Sequence, residues 1–136
     1  MSIAENIERL RAEIARAAEE SGRHGSDINL AAASKMNGSA AVRQAVPAGV
    51  DACGENRVQE MLQKLSEHAY DGAPLHFIGH LQKNKVKNVV GNVDLIESAD
   101  SPELIGLISE RAEKLGIEQE IVIELDIDGE ANKNGM

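Results

Sequence analysis

Leu30-Ala31-Ala32-Ala33-Ser34-Lys35-Met36-Asn37-Gly38-Ser39 is the stretch that decides the fold. A short apolar run ends on a lysine, and a turn signal, Asn-Gly-Ser, follows at once. A helical pattern starts at Ser39. This is the grammar of a strand, a tight turn and a helix. Similar units follow along the chain, and alternation of strand and helix implies a parallel sheet. In parallel α/β proteins ligands sit beyond the C-terminal ends of the strands. Lys35 stands at such an end. A partly desolvated lysine there is the residue type that forms a Schiff base with an aldehyde cofactor. The competing reading is an ordinary solvated lysine, and Lys35 alone does not decide between them.

Two later stretches bear on the choice. Gly54-Glu55-Asn56-Arg57-Val58-Gln59-Glu60 and His76-Phe77-Ile78-Gly79-His80-Leu81-Gln82-Lys83-Asn84-Lys85 each follow a short apolar segment and open an amphipathic helix. Polar groups therefore stand at the tips of three successive strands. The expected strands lie near 29–34, 50–53, 75–78, 93–98 and 120–127. The expected helices lie near 39–46, 57–68, 82–90 and 102–115. A further helix precedes them all: Ile3, Ile7, Leu10 and Ile14 recur at helical spacing, Ser2 and Glu5 have the capping-box pattern, and Gly22 is a natural stop. Along the fifth strand Ile121, Ile123, Leu125 and Ile127 would share one face, while Glu124 and Asp126 would point inward if the sheet curls into a barrel.

The chain has 136 residues, a net charge of -9, and one Phe, one Tyr and no Trp. Its core must be aliphatic. A strongly acidic chain with so few stacking side chains is a poor match for nucleic acid or an anionic membrane surface. No stretch has the form of a secretory leader, and the apolar runs are too short to span a bilayer. The single cysteine, Cys53, excludes an intrachain disulfide. A cytoplasmic protein is the expectation. The four histidines have no metal-ligand spacing, so no metal site is expected. His76 and Phe77 read as packing residues. Lys83, Lys85 and Lys87 read as a solvated run, because charges two apart on a helix cannot all face one ligand.

Taken in order, Ala33-Ser34-Lys35, residues 54–60, residues 76–85, Asp94 through Ser101, and Gly129-Glu130 with Lys133 and Gly135 closely resemble the pyridoxal phosphate homeostasis proteins, a family once described as proline-synthetase co-transcribed proteins. The resemblance implies the (β/α) TIM-barrel type shared with the N-terminal domain of alanine racemases, known as fold type III of pyridoxal phosphate (PLP) proteins. It implies PLP held as an aldimine on Lys35, with Asn56 near the cofactor ring and His80 lining the same pocket. Lys133 matches a family lysine at which a second amine could approach the aldehyde. Met36 stands where threonine is usual, Asp126 where asparagine is expected, and Pro47 should shorten its helix. None of these removes a cofactor residue.

Family chains are nearly twice as long, and an eight-stranded barrel needs roughly 200 residues. The expectation is therefore one domain over 1–136, a barrel truncated after its fifth strand, with no Gly-rich phosphate cradle. The expected function is PLP binding in PLP and amino-acid homeostasis, without catalytic residues or turnover. The alternatives are a small fold-type-III racemase or decarboxylase, or an inactive fragment. The full-length family member is expected to be monomeric, and the shortened chain to self-associate through its open edges.

Overall fold

The structure is a computed structural model and describes residues 1–131 and 133–136. It divides into two compact units: Met1–Gly54 with Gln63–Pro74, and Glu55–Leu62 with Leu75–Met136. In both, the strands are parallel and alternate with helices.

In the first unit, α1 (Ile3–Glu20) begins with the expected capping box: the Glu5 amide donates to Ser2 Oγ, and the Ser2 amide donates to the Glu5 carboxylate. Gly22, at φ 78, follows its end and takes the left-handed conformation that a helix stop favours. Ile7 and Ala18 form its buried stripe, while Leu10 is exposed despite its helical spacing. Strand β1 (Ala31–Ala33) pairs in parallel with β2 (Ala52–Glu55), with Ala32 opposite Cys53 and Ala33 opposite Gly54. Helix α2 (Ser39–Ala45) follows the turn that carries Lys35.

In the second unit, β3 (Leu75–Phe77), β4 (Leu95–Ala99) and β5 (Glu120–Ile123) pair in that order. A 3-10 turn (Lys83–Lys85) leads into the short α4 (Val86–Val89). Helix α5 (Pro102–Leu115) has the Ser101 hydroxyl as its N-cap and a left-handed Gly116, φ 67, at its end. Phe77, Leu81, Ile96 and Leu104 are fully buried and form the apolar core of this unit. Helix α3 (Val58–Ser66) and β2 contribute residues to both units.

One device recurs. The Asp51 amide donates to the Leu30 carbonyl, and the Leu30 amide donates back to the Asp51 carboxylate at 2.6 Å. Asp94 and Leu75 repeat this reciprocal pair at 2.8 Å in the second unit. An aspartate ahead of one strand thus satisfies both free polar groups at the start of the preceding strand, where the regular ladder has not yet begun. Arg11 of α1 adds to the first clamp, donating to the Gly49 and Ile28 carbonyls and pairing with Asp51.

Three expectations are corrected. The fourth helix is not continuous over 82–90, because its first turn is wound as a 3-10 turn. The second strand runs two residues further than expected, so Gly54 and Glu55 are in the sheet and only Asn56 onward is at the tip. The fifth strand ends at Ile123, and the clean alternation up to Ile127 does not prolong it. A register shift lies between Ile96 and Ala99, after which Glu124 donates to the Ala99 carbonyl and the chain folds back, Asp126 donating to Met136 and Met136 to Glu124. Leu125 and Ile127 are exposed.

The Leu30 amide, and to a smaller extent Arg11, hold the Asp51 carboxyl below the usual aspartate range against a modest opposing effect of burial. A lowered folded value means that the unfolded chain takes up the proton first as pH falls. The stabilisation is therefore present above the ordinary aspartate pKa and is lost as pH falls through the depressed one. Asp51→Asn should reduce stability near neutral pH and flatten the acid limb of a urea-denaturation series taken from about pH 7 down to about pH 3. An unchanged acid limb would show that this clamp carries none of the pH dependence.

Candidate functional site

In the first unit the site begins where β1 ends. Ser34 is buried, its amide donating to the Gly54 carbonyl at 2.9 Å and its hydroxyl to the same carbonyl at 3.3 Å. Lys35 and Met36 form the turn, which the Asn37 amide closes on the Ser34 carbonyl at 3.2 Å. Met36 sits at φ 65, an unusual left-handed backbone for a side chain without a short polar group. The Asn37 side chain donates to the Lys35 carbonyl at 3.1 Å, which suits a turn asparagine. Lys35 is exposed. Ala31 and Ala33 of the preceding strand are exposed too. A hollow of about 270 Å³ lies between α1, β1 and α2, and Lys35 does not line it.

In the second unit the Asn56 side chain oxygen is buried without a hydrogen-bond partner among the described residues. A buried acceptor left unsatisfied carries a desolvation penalty of about 1–3 kcal/mol, and a group of this kind calls for a physical explanation. The backbone beside it is tightly packed. The Ile78 amide donates to the Glu55 carbonyl at 2.8 Å, and a Cβ on Gly79 would lie 2.5 Å from Asn56 Cβ and 2.6 Å from its carbonyl oxygen. Gly79 is therefore glycine because the Asn56 loop passes where a side chain would be.

His80 follows, half exposed, with Nδ1 3.2 Å from Asp100 Oδ2. Asp100 stands just beyond β4 and is mostly enclosed, so it orients the imidazole from the next strand tip. Asn56, Gly79, His80 and Asp100 are thus brought together by the second unit alone. Lys133 is exposed in the terminal loop and pairs with Glu130 at 3.2 Å. Asp126, which the inward-facing reading placed near a barrel mouth, instead accepts the Gly129 amide at 2.8 Å and closes a turn.

Three features escaped the sequence reading. His76 is largely covered and makes a bond the sequence did not show: Nδ1 lies 3.0 Å from Glu97 Oε1, on the strand face opposite to that of buried Phe77. Its signal was the two-residue alternation, which puts His76 and Phe77 on opposite faces. Asp100 was read only as part of a motif, with no bond to His80. Lys64, which the sequence did not single out, is buried, and its amine donates to the Ser34 carbonyl at 2.8 Å. It lies three residues after fully buried Met61, which places it on the inward stripe of α3. Lys83 and Lys87, read as part of a solvated run, are exposed as expected and line an open groove of about 460 Å³ with Arg111 and Lys114, while Lys85 is half-buried and does not line it. Among the described residues no group of three His, Cys, Asp or Glu side chains could hold a metal, and no helix is long and apolar enough to cross a membrane.

No protein-family model matches the chain. It is similar to the pyridoxal phosphate homeostasis protein of Aquifex aeolicus, 38% identical over 136 residues, which are 100% of this chain and 60% of that protein. It is also similar to the protein of the same name from Pseudomonas aeruginosa, 35% identical over 98% of this chain and 58% of the relative. Among solved structures, PipY of Synechococcus elongatus with PLP bound superposes with a TM-score of 0.80 at 30% identity, covering 99% of this chain and 58% of PipY. The chain thus spans about 60% of the length of the curated relatives it matches, and the family resemblance read from its motifs holds.

Chemically, the exposed primary amine of Lys35 at the strand tip of the first unit can condense with an aldehyde. Gly79→Ala should perturb the Asn56 loop, costing about 1–3 kcal/mol as overpacked sites do. Thermal unfolding of the variant measures this, and an unchanged midpoint would mean that the loop yields without cost.

Proposed function

We propose that this chain, a homologue of the pyridoxal phosphate homeostasis proteins, binds PLP through Lys35 and takes part in PLP and amino-acid homeostasis in the cytoplasm. The observation that carries the reading is the Lys35 turn, which presents an exposed amine at the end of a parallel strand in a chain similar to a protein solved with PLP bound. Bound PLP would supply an aldehyde carbon, and Lys35 would hold the cofactor there through its amine. The family resemblance implies Asn56 as a further cofactor residue, and its buried oxygen lacks a partner among the described residues. It implies His80 as well, whose ring Asp100 orients.

The chain is a carrier and does not turn over substrate. Racemisation requires an acid/base group on each face of the substrate carbon, whereas holding an aldehyde requires one amine and a shaped pocket. The fold is an incomplete (β/α)8 barrel of fold type III, forming one domain over 1–136. Parallel strands alternating with helices in each unit, together with the superposition on PipY, support this. Self-association is part of the same proposal, since Val122 and Ile123 expose apolar side chains on β5 and Leu125 and Ile127 do so beyond it. A single monomeric species in sedimentation would contradict it.

Titration with PLP should give a visible absorption band that Lys35→Ala removes. A band that persists unchanged in Lys35→Ala would assign the amine elsewhere.

A further inference from the structure

Lysine is almost never fully buried unless its ammonium is satisfied, yet Lys64 is only 4% exposed. It lies in the last turn of α3, where the helix dipole favours a cation. Its Nζ donates to the Ser34 carbonyl oxygen at 2.8 Å in a buried setting. That oxygen belongs to the peptide group joining Ser34 to Lys35. The bond therefore fixes the plane of the peptide from which Lys35 departs.

The same oxygen accepts the Asn37 amide that closes the turn. The turn also needs holding, because Met36 at φ 65 is in a region that a side chain of its kind rarely adopts. Such backbone persists where surrounding bonds over-determine it. Ser34 is pinned to Gly54 on one side and held through its carbonyl on the other.

We propose that Lys64 is a positioning residue for Lys35: its buried ammonium, bonded to the Ser34 carbonyl, sets the direction in which the Lys35 amine leaves the strand tip. The inference rests on Lys35 being the amine that holds PLP. Lys64 does not itself meet the aldehyde, since it is enclosed and directed at the backbone.

The experiment uses the whole chain with PLP as the probe. Free PLP is achiral, so circular dichroism in the visible cofactor band reports how the bound ring is held, separately from whether the protein is folded. Lys64→Met keeps the length and removes the donor, while Lys64→Arg keeps a cation able to reach a carbonyl. In Lys64→Met the visible dichroism should collapse and binding should weaken by about tenfold or more, a loss within the range that misplacing a reactive group produces. Lys64→Arg should recover part of both. Unchanged dichroism and affinity in a folded Lys64→Met would overturn the proposal.

Should Lys64→Met not fold, the unsubstituted chain still decides. A hydrogen-bond scalar coupling between Lys64 Nζ and the Ser34 carbonyl carbon, with slowed exchange of the ammonium protons, supports the proposal. Exchange as fast as that of a surface lysine, without coupling, overturns it. Failure of the underlying reading looks different: the unsubstituted chain would then give no visible band that depends on Lys35, and this inference would fall with it.

Discussion

The carbonyl of Ser34 accepts two donors, the Asn37 amide and the Lys64 ammonium, and the placing of Lys35 depends on it. A buried cation is tolerated only with strong partners, so the bond constrains both ends: α3 is held close to the end of β1, and the turn is held in a conformation that Met36 would otherwise resist. The strand behind the turn is anchored at its other end by the Leu30–Asp51 exchange, to which α1 adds Arg11. Between these two fixed points lie three alanines, which bring little packing energy of their own. Polar bonds at the ends of a small-residue strand do here what large side chains do in an ordinary core.

The second unit works differently. Its centre is a packed apolar core of Phe77, Leu81, Ile96 and Leu104, and its polar groups stand where the strands run out. Asn56 is pressed against Gly79, and His80 is steered by Asp100. An amide whose oxygen is buried without a partner among the described residues costs stability.

The alternation of strand and helix was readable because strong local signals punctuate it: Asn37-Gly38-Ser39, Ser101-Pro102 and Gly116 each start or stop an element for a backbone reason. Lys35 could be placed at a strand tip from the same signals. What could not be read were bonds between residues far apart in the chain. Lys64 meets Ser34 across thirty residues, and nothing local to Lys64 distinguishes it from the surface lysines except its spacing from Met61. The bond of His76 to Glu97 was not readable for the same reason, since it joins residues twenty-one apart. The fifth strand was drawn too long because alternation continues past Ile123, whereas strand length is set by whether the neighbour still offers partners. After Glu124 bonds Ala99, the next partner is Met136.

The central claim is that Lys35 is the amine that holds PLP. Borohydride reduction of the PLP-treated chain, followed by digestion and mass spectrometry, tests it most directly, because reduction makes the carbon–nitrogen bond permanent at whichever lysine formed it. The account predicts one dominant modified peptide, carrying the pyridoxyl group on Lys35. Labelling spread over Lys83, Lys87, Lys114 and Lys133 with no preference for Lys35 would contradict it.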